Sequence, residues 1–236
     1  MKRLPYLLAV VAFSAGMWAA SARADETRCS PAPAAKGDLV ELKLELPKPV
    51  FAGTPKNVPP GLNLEPPRKG PRPPIMVPKD CVNLALDKEV TGSDKEPIVG
   101  ELKYVTDGYK EATEDGYVEL GPGLQYVQID LGVVSEIYAI MVWHYHRDPR
   151  IYKGVVVQVA DDPDFIQNVR TLFNNDHDNS TGLGIGKDKH YFETYEGKHI
   201  DAGGVKARYI RLYSKGSTAD DMNHYTEVEV YGKPVK

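Results

Sequence analysis

The chain has 236 residues, which is enough for one domain and an additional segment. Hydrophobic residues make up 42% of the sequence, and this fraction excludes a wholly disordered protein because it supplies the apolar surface for a core. The formal net charge of −4 at pH 7 excludes a strongly basic nucleic-acid-binding protein.

The first 24 residues have the pattern of a secretory signal peptide. Lys2 and Arg3 precede an apolar stretch, and Ala22-Arg23-Ala24 fits the small-residue motif of a cleavage site. We expect cleavage after Ala24, with an uncleaved anchor as the alternative. The mature protein is then predicted to be secreted, periplasmic or at the cell surface. It has no predicted membrane span, because no later apolar run reaches the ~20 residues that a transmembrane helix needs.

Residues 25–80 are predicted to form a proline-rich extended arm. Thirteen of the 19 prolines lie between Pro31 and Pro78, and proline at this density disfavours both helices and central strands. One short stretch alternates leucine with charged residues and predicts a strand with one apolar face: Leu42, Leu44 and Leu46. An arm that wraps the following domain and a plain linker are both compatible with this composition.

The only two cysteines, Cys29 and Cys81, lie at the two ends of this arm. Both belong to the part of the chain that would be exported, and two cysteines in an oxidising compartment usually form a disulfide. We therefore predict that Cys29 and Cys81 pair and pin the arm to the domain. Two independent thiols are the alternative.

Residues 81–236 are predicted to form an all-β domain. Five short stretches alternate apolar and polar residues or are rich in β-branched ones: 126–131, 137–143, 155–160, 208–213 and 227–231. Turns rich in glycine, proline and aspartate separate them, and no stretch of ten residues has a convincing helical pattern. Short strands at this spacing are typical of a β-sandwich or a barrel.

Six motifs in this domain occur in the order found in a known family. They read NLALDKEVT at 83–91, TDG at 106–108, YVQIDLG at 126–132, VQVADD at 157–162, ARYIRLY at 207–213 and EVEVYG at 227–232. Residues 82–232 therefore resemble a discoidin, or coagulation factor 5/8 type C, domain. The resemblance implies a galactose-binding-like jelly-roll β-sandwich, which family 32 carbohydrate-binding modules share. It does not specify a ligand, because the family binds glycans, lipids and proteins through variable loops.

The resemblance also implies a structural calcium ion near the Asp-Gly turn. Asp107 and Glu227 would supply carboxylates, with backbone carbonyls around Val105 and Thr226, and calcium prefers such an oxygen cage. The sequence departs from the family pattern at Tyr109, where an aspartate or asparagine is usual. A turn whose carboxylate accepts backbone N–H bonds is therefore an equal alternative.

The stretch WHYHRDPRIY at 143–152 is the most distinctive in the chain. In sugar-binding members of the family the corresponding loop presents histidine, arginine and aromatic side chains. Arginine and histidine can donate to sugar hydroxyls, while an aromatic ring covers the apolar face of a pyranose. The resemblance thus implies ligand contacts from His144, His146, Arg147, Arg150 and Tyr152. A packed strand end with satisfied imidazoles is the alternative.

Two further polar loops, 174–182 and 218–225, could join that surface in this fold. Their predicted ligand contacts are Asp176, His177, Asn223, His224 and Tyr225. Asp176 opens a spacing similar to a calcium loop, but Lys187 stands where the bidentate acid of an EF-hand belongs, so an EF-hand is excluded. A looser cation loop and a solvated turn both remain open.

No catalytic motif is present, and we predict a binding module without enzymatic activity. The favoured hypothesis is recognition of carbohydrate, such as a cell-surface glycan, with no organic cofactor. One alternative is an adhesion or scaffold protein that binds another extracellular protein. The other is a transition-metal site built from histidines of the polar loops: His144, His146, His177 or His224.

Overall fold

The computed structural model describes residues 38–50, 60–66, 68–114 and 116–235. The predicted signal peptide and Cys29 lie outside this described part of the chain. Regular structure within it is almost entirely β, as the sequence predicts, and its single helix is a short 3₁₀ turn. No helix there has the length and apolar character that a bilayer crossing requires.

The strands are numbered in chain order. They are β1 (Leu39–Glu41), β2 (Met76–Pro78), β3 (Val82–Asn83), β4 (Val90–Gly92), β5 (Val118–Leu120), β6 (Gln125–Trp143), β7 (Val156–Ala160), β8 (Arg170–Asn174), β9 (Lys198–Ser214), β10 (Asn223–Tyr225) and β11 (Glu227–Pro234); the 3₁₀ helix spans Leu102–Thr106.

One antiparallel sheet of seven strands dominates the domain. Its order is β3-β11-β6-β9-β7-β8, and β4 pairs with the first part of β6. Strands β5 and β10 form a separate antiparallel pair, with His224 opposite Glu119. Through this pair, the residues next to β5 lie close to loop 218–225, which leads into β11.

Strands β6 and β9 bend and contribute to both layers of the sandwich. Their pairing stops after Asp130 and resumes at Ser135, with Gly132 at a positive φ of 84° between them. Side chains from before and after the bend, such as Ile129 and Ile140, belong to the same core. The sheet therefore curves around one apolar interior, which confirms the predicted β-sandwich.

The bend also corrects one prediction about the strands. Stretches 126–131 and 137–143 were expected to be separate strands, but both belong to the continuous strand β6. The interruption between them lengthens and bends the strand without reversing its direction, because β9 continues alongside it.

A second irregularity in β6 gives the sheet an apolar outer face. The pairing with β9 shifts between Ile137 and Ala139, and such a bulge moves the following side chains to the opposite face. Ile137 and Ile140 accordingly face the core. The outward-facing residues form a second apolar cluster: Ala139, Met141 and Trp143.

The described residues of the proline-rich arm cover this outer face. Strand β1 pairs with β2, and Ile75 and Val77 are buried against the cluster at 8% and 2% exposure. Leu42 and Leu44 also pack there, whereas Leu46 is exposed. The strand predicted over these leucines is wrong in position, because β1 ends at Glu41. The prediction that leucines of this stretch form a packing face holds for Leu42 and Leu44.

Cys81 is half-buried in the same apolar cluster. Burial raises the pKa of its thiol above the usual value. Cys81 forms no disulfide within the described residues, and its predicted partner Cys29 lies outside them. The Cys29–Cys81 pairing therefore stays a prediction.

Candidate functional site

Two of the three polar loops predicted from the sequence meet at one end of the sandwich. The Arg150 guanidinium donates to the Asp148 carboxylate at 2.8 and 3.0 Å and to the Asp220 carboxylate at 3.2 Å. The backbone N–H of Ile151 donates to the Thr218 hydroxyl at 3.0 Å. These bonds join loops 144–152 and 218–225 into one surface.

His224 lies beneath this surface and is 4% exposed. Its Nδ1 is 2.9 Å from the Tyr152 hydroxyl, and its Nε2 is 3.3 Å from the Glu119 carboxylate. A neutral imidazole with its proton on Nε2 satisfies both contacts, since it accepts from Tyr152 and donates to Glu119. Burial, and then the neighbouring Arg150 guanidinium, lower the pKa of His224 to about 4.

Aromatic rings complete the surface. Tyr117 and Tyr145 meet edge to face with centroids 5.0 Å apart, and both are half-buried. The Arg150 guanidinium lies 4.7 Å from the Tyr145 ring centroid. We call this group of side chains the loop-end patch: Tyr117, Glu119, Tyr145, Asp148, Arg150, Asp220 and His224.

Five members of the loop-end patch were not predicted as site residues: Tyr117, Glu119, Tyr145, Asp148 and Asp220. Asp148 and Asp220 lie within the stretches 143–152 and 218–225 that the sequence singled out. Tyr145 stands inside the distinctive stretch 143–152, so its aromatic character was the available signal. Tyr117 and Glu119 carry no such signal. They reach the patch because β5 pairs with β10, and that pairing between distant segments is not visible in the sequence.

The structure corrects the prediction for three residues of loop 144–152. His144 and His146 are each 1% exposed. His144 Nδ1 is 2.7 Å from the Glu193 carboxylate, and His146 Nε2 is 2.7 Å from the Lys110 carbonyl. Tyr152 is also 1% exposed and stacks on His144, so none of the three can reach an external ligand. The neighbouring Arg147 is exposed and stays a predicted contact.

Asn223 and Tyr225 are likewise buried rather than available to a ligand. The Asn223 amide donates to the carbonyls of Gly121 and Gly123 at 2.8 and 3.0 Å. The Tyr225 hydroxyl donates to the Leu212 carbonyl at 3.0 Å. Both side chains hold the backbone around β10, and this role explains why they flank the loop-end patch without belonging to its surface.

The third polar loop, 174–182, has its own internal contacts. Burial would raise the pKa of Asp176, but hydrogen bonds from Thr181 and Ser180 outweigh it and lower the pKa to about 2. Both carboxylate oxygens of Asp176 are thus occupied by the loop, which argues against a cation there. The Nε2–H of His177 donates to the Asp188 carbonyl at 2.8 Å, and its ring contacts His190 edge to face.

The predicted transition-metal site also lacks a supporting geometry. Within the described part of the chain, no group of three or more His, Cys, Asp or Glu side chains is placed to share an ion. The four histidines of that hypothesis instead have separate partners: Glu193 for His144, Lys110 for His146, Asp188 for His177 and Tyr152 for His224.

The Asp-Gly turn brings together the two predicted calcium carboxylates. Asp107 accepts from the Tyr109 N–H at 2.8 Å, and Glu227 accepts from the Gly108 N–H at 3.1 Å. The other oxygen of Glu227 is buried and has no hydrogen-bond partner among the described residues. Burial, with Glu229 and Asp107 nearby, raises the pKa of Glu227 to about 9. This unpaired oxygen is available as a ligand to a cation, while the neighbouring Glu229 is already paired with Lys110 at 2.7 Å.

Comparisons with known proteins identify similar sandwiches. No protein-family model matches the chain, and a search of curated proteins also finds no match. Among solved structures, a family 89 glycoside hydrolase from Clostridium perfringens is 18% identical with a TM-score of 0.49, over 65% of this chain and 15% of that chain. The chain therefore spans a small part of that enzyme's length.

Isolated modules match over nearly their whole length. The CBM32 of AlyQ, solved with 4,5-unsaturated mannuronic acid, is 19% identical with a TM-score of 0.41, over 61% of this chain and 95% of that chain. A chitosan-binding module from a chitosanase/glucanase of Paenibacillus sp. IK-5 is 20% identical with a TM-score of 0.44, over 64% and 99%. At these identities and TM-scores the likeness is one of fold alone and assigns neither a family nor a ligand to the chain.

Proposed function

We propose that this chain is an extracellular carbohydrate-binding module that contacts its glycan through the loop-end patch. The observation that carries the proposal is the position of Tyr117 and Tyr145 beside the charged groups of Arg150, Asp148 and Asp220 at one end of the sandwich. The motif resemblance to a family with glycan-binding members supports the same conclusion.

The chemistry of the patch suits a sugar ring. A pyranose has an apolar face that an aromatic ring covers, and hydroxyls that exchange hydrogen bonds with polar side chains. Tyr145 offers the ring, while Asp148 and Asp220 are partly exposed, with side chains at 47% and 38%. These carboxylates can accept hydrogen bonds from sugar hydroxyls, and the exposed Arg147 can donate hydrogen bonds to sugar hydroxyl oxygens.

The patch is also held in position before a ligand arrives. Arg150 is fixed by Asp148 and Asp220 and packs on the Tyr145 ring. Side chains that are already ordered lose less conformational entropy when they bind. A glycan would therefore meet a preformed surface, and we propose that the module binds without transforming its ligand.

We further propose a structural calcium ion at the Asp-Gly turn. Asp107 and Glu227 would hold it, and the buried unpaired oxygen of Glu227 supports this assignment. Calcium there would neutralise neighbouring carboxylates and fix the turn, and it would not touch the glycan. The proposed export rests on the signal-peptide pattern of residues 1–24.

A glycan array followed by titration of the strongest binder tests the proposed function. Tyr145→Ala should weaken binding about tenfold or more, because truncating an aromatic residue that anchors a ligand typically costs more than 1 kcal/mol. The matched control is Ile166→Ala, which removes an apolar side chain that is 78% exposed and lies outside the patch. Unchanged affinity in Tyr145→Ala with normal thermal stability would place the ligand elsewhere.

A further inference from the structure

A concave surface lies outside the loop-end patch and shares no lining residue with it. It is a cavity of about 960 Å³ that opens to solvent between the arm and the beginning of β9. Arm residues 68–76 line one side, and residues 191–199 line the other. Its volume is at the upper end of the range of ligand sites in proteins, so it can take more than a single sugar ring.

Aromatic side chains form much of the cavity's apolar lining. Tyr138, Phe192 and Tyr195 all contact it, and each is half-buried. Tyr195 is anchored through its backbone carbonyl, which accepts from the Trp143 indole at 2.9 Å. Several rings along one cavity suit a ligand that repeats apolar faces, as a chain of pyranoses does.

The charged residues of the lining balance one another. Arg68 pairs with Glu196, and Lys198 pairs with Glu65. Arg72 donates to the carbonyls of Glu196 and Gly197, the former at 2.8 Å. With Asp201, the lining has three basic and three acidic side chains. An anionic ligand would therefore gain little net attraction there, whereas hydroxyls could bond to both signs.

The arm forms one wall of this cavity and is hydrogen-bonded to the other wall. Arg72 reaches from the arm to two backbone carbonyls of the opposite wall, and burial lowers its pKa to about 10. The same arm segment continues into Ile75, which is buried on the outer face of the sheet. The two walls are therefore tied together, which limits the entropy lost when a ligand enters.

We propose that this arm-sheet cavity is a second glycan-binding site that takes an uncharged oligosaccharide segment. The inference rests on the proposed function, because it assigns the same class of ligand to a different surface. Two sites on one chain would let the module hold two segments of the same polysaccharide, and such linkage raises the apparent affinity for the polymer.

Calorimetric titration of the full chain with uncharged tetrasaccharides derived from cellulose, chitin, mannan and galactan tests the proposal. Wild-type protein should bind one of them at two sites. Tyr145→Ala should retain one site, Phe192→Ala should retain the other, and the double variant should bind neither. A tetragalacturonate should bind the cavity no more tightly than its uncharged counterpart.

Thermal melting of each variant accompanies the titrations, with Ile166→Ala as the exposed apolar control. Tyr195→Ala is the second cavity variant if Phe192→Ala lowers the melting temperature. Binding that depends on Tyr145 but not on Phe192 or Tyr195 overturns the second site and leaves the proposed function standing. Binding that depends on the cavity alone supports the second site and removes the loop-end patch. Failure of wild-type protein to bind any of the probes overturns both.

Discussion

The buried environment beneath the loop-end patch keeps the His224 imidazole neutral. Its pKa is lowered from 6.5 to about 4 by burial and by the Arg150 guanidinium. Between these pH values the unfolded chain binds a proton that the folded chain does not, so folding becomes less favourable as the pH falls. Linkage over this interval corresponds to about 3 kcal/mol.

Denaturant unfolding across this pH interval tests the prediction. Relative to His224→Gln, wild-type protein should lose stability as the pH falls from 6.5 towards 4, because glutamine does not titrate. Other groups that titrate in this interval, such as Glu227, affect both proteins alike and cancel in the difference. In wild-type protein the Tyr152 hydroxyl lies 2.9 Å from His224 Nδ1. The glutamine side-chain oxygen can accept a hydrogen bond from the same hydroxyl, so the variant can retain this interaction. Parallel profiles for the two proteins would show that His224 does not contribute.

Glu227 leads to the opposite dependence on pH. Its pKa is raised from 4.5 to about 9, so the unfolded chain releases this proton first and stability is lost as the pH rises through that interval. A calcium ligand must be ionised, and bound calcium would therefore reverse the penalty. We expect calcium to raise the melting temperature, with a larger increase at the alkaline end of the interval.

Glu227→Gln is the matched variant for calcium. It should remove the calcium-dependent increase in melting temperature. In EDTA at neutral pH the variant should melt higher than wild-type protein, because the unfolded wild-type chain releases the Glu227 proton that the folded chain retains, and glutamine has no such proton. Asp130, a carboxylate already paired with Arg208 on another part of the surface, provides the control Asp130→Asn. An equal calcium response in wild-type protein and Glu227→Gln would exclude this site.

At the scale of elements, the arm is held by a small apolar cluster and a few polar contacts, and it should open separately from the sandwich. Ile75 is 8% exposed, and replacing a buried isoleucine with alanine costs about 2–5 kcal/mol. Ile75→Ala should accelerate amide hydrogen exchange in β1, β2 and Leu42, whose N–H donates to the Ile75 carbonyl at 2.8 Å. Exchange in β9 should stay slow.

The control for the arm is Leu39→Ala, because Leu39 is 47% exposed on β1. It should leave the exchange rates close to those of wild-type protein. If Ile75→Ala increases exchange equally in the arm and in β9, the arm and the sandwich unfold as one cooperative unit and the arm has no independent opening.

The strands could be predicted because alternating apolar and polar residues indicate which face of a strand is buried. Ile129, Ile210 and Val228 are core residues within stretches that this pattern identified. The bulge after Ile137 could not be predicted, because it depends on pairing with β9. For the same reason, the sequence did not show that Trp143 would face the arm.

The site could be predicted only in part because residue type does not reveal burial. Arg150 and His224 do lie at the loop end, as predicted. The same pattern also selected Tyr152 and His144, which are buried and form hydrogen bonds inside the protein. Glu119 entered the patch through the pairing of β5 with β10, between segments about a hundred residues apart. Such long-range pairing is decided by the whole fold.

At the scale of the whole molecule, the predicted disulfide would decide how firmly the arm is attached. Cys81 lies in the apolar cluster under the arm, next to the sheet that forms one wall of the cavity. A bond to Cys29 would close a loop that stabilises the folded state by about 4 kcal/mol in the entropy model. The arm would then be held at both of its ends.

Thiol titration and intact mass of the exported protein, unfolded without reductant, test this prediction. We expect no free thiol and a mass that begins at Asp25. Cys81→Ser should leave one free thiol and should increase hydrogen exchange in β1 and β2, because the arm then loses its covalent attachment and keeps its non-covalent contacts, among them the apolar cluster, the Arg72 hydrogen bonds and the Arg68–Glu196 ion pair. Two free thiols in wild-type protein would contradict the pairing. In that case the attachment of the arm, and with it the shape of the cavity, would depend on non-covalent contacts such as the packing of Ile75 and Val77 and the Arg72 hydrogen bonds.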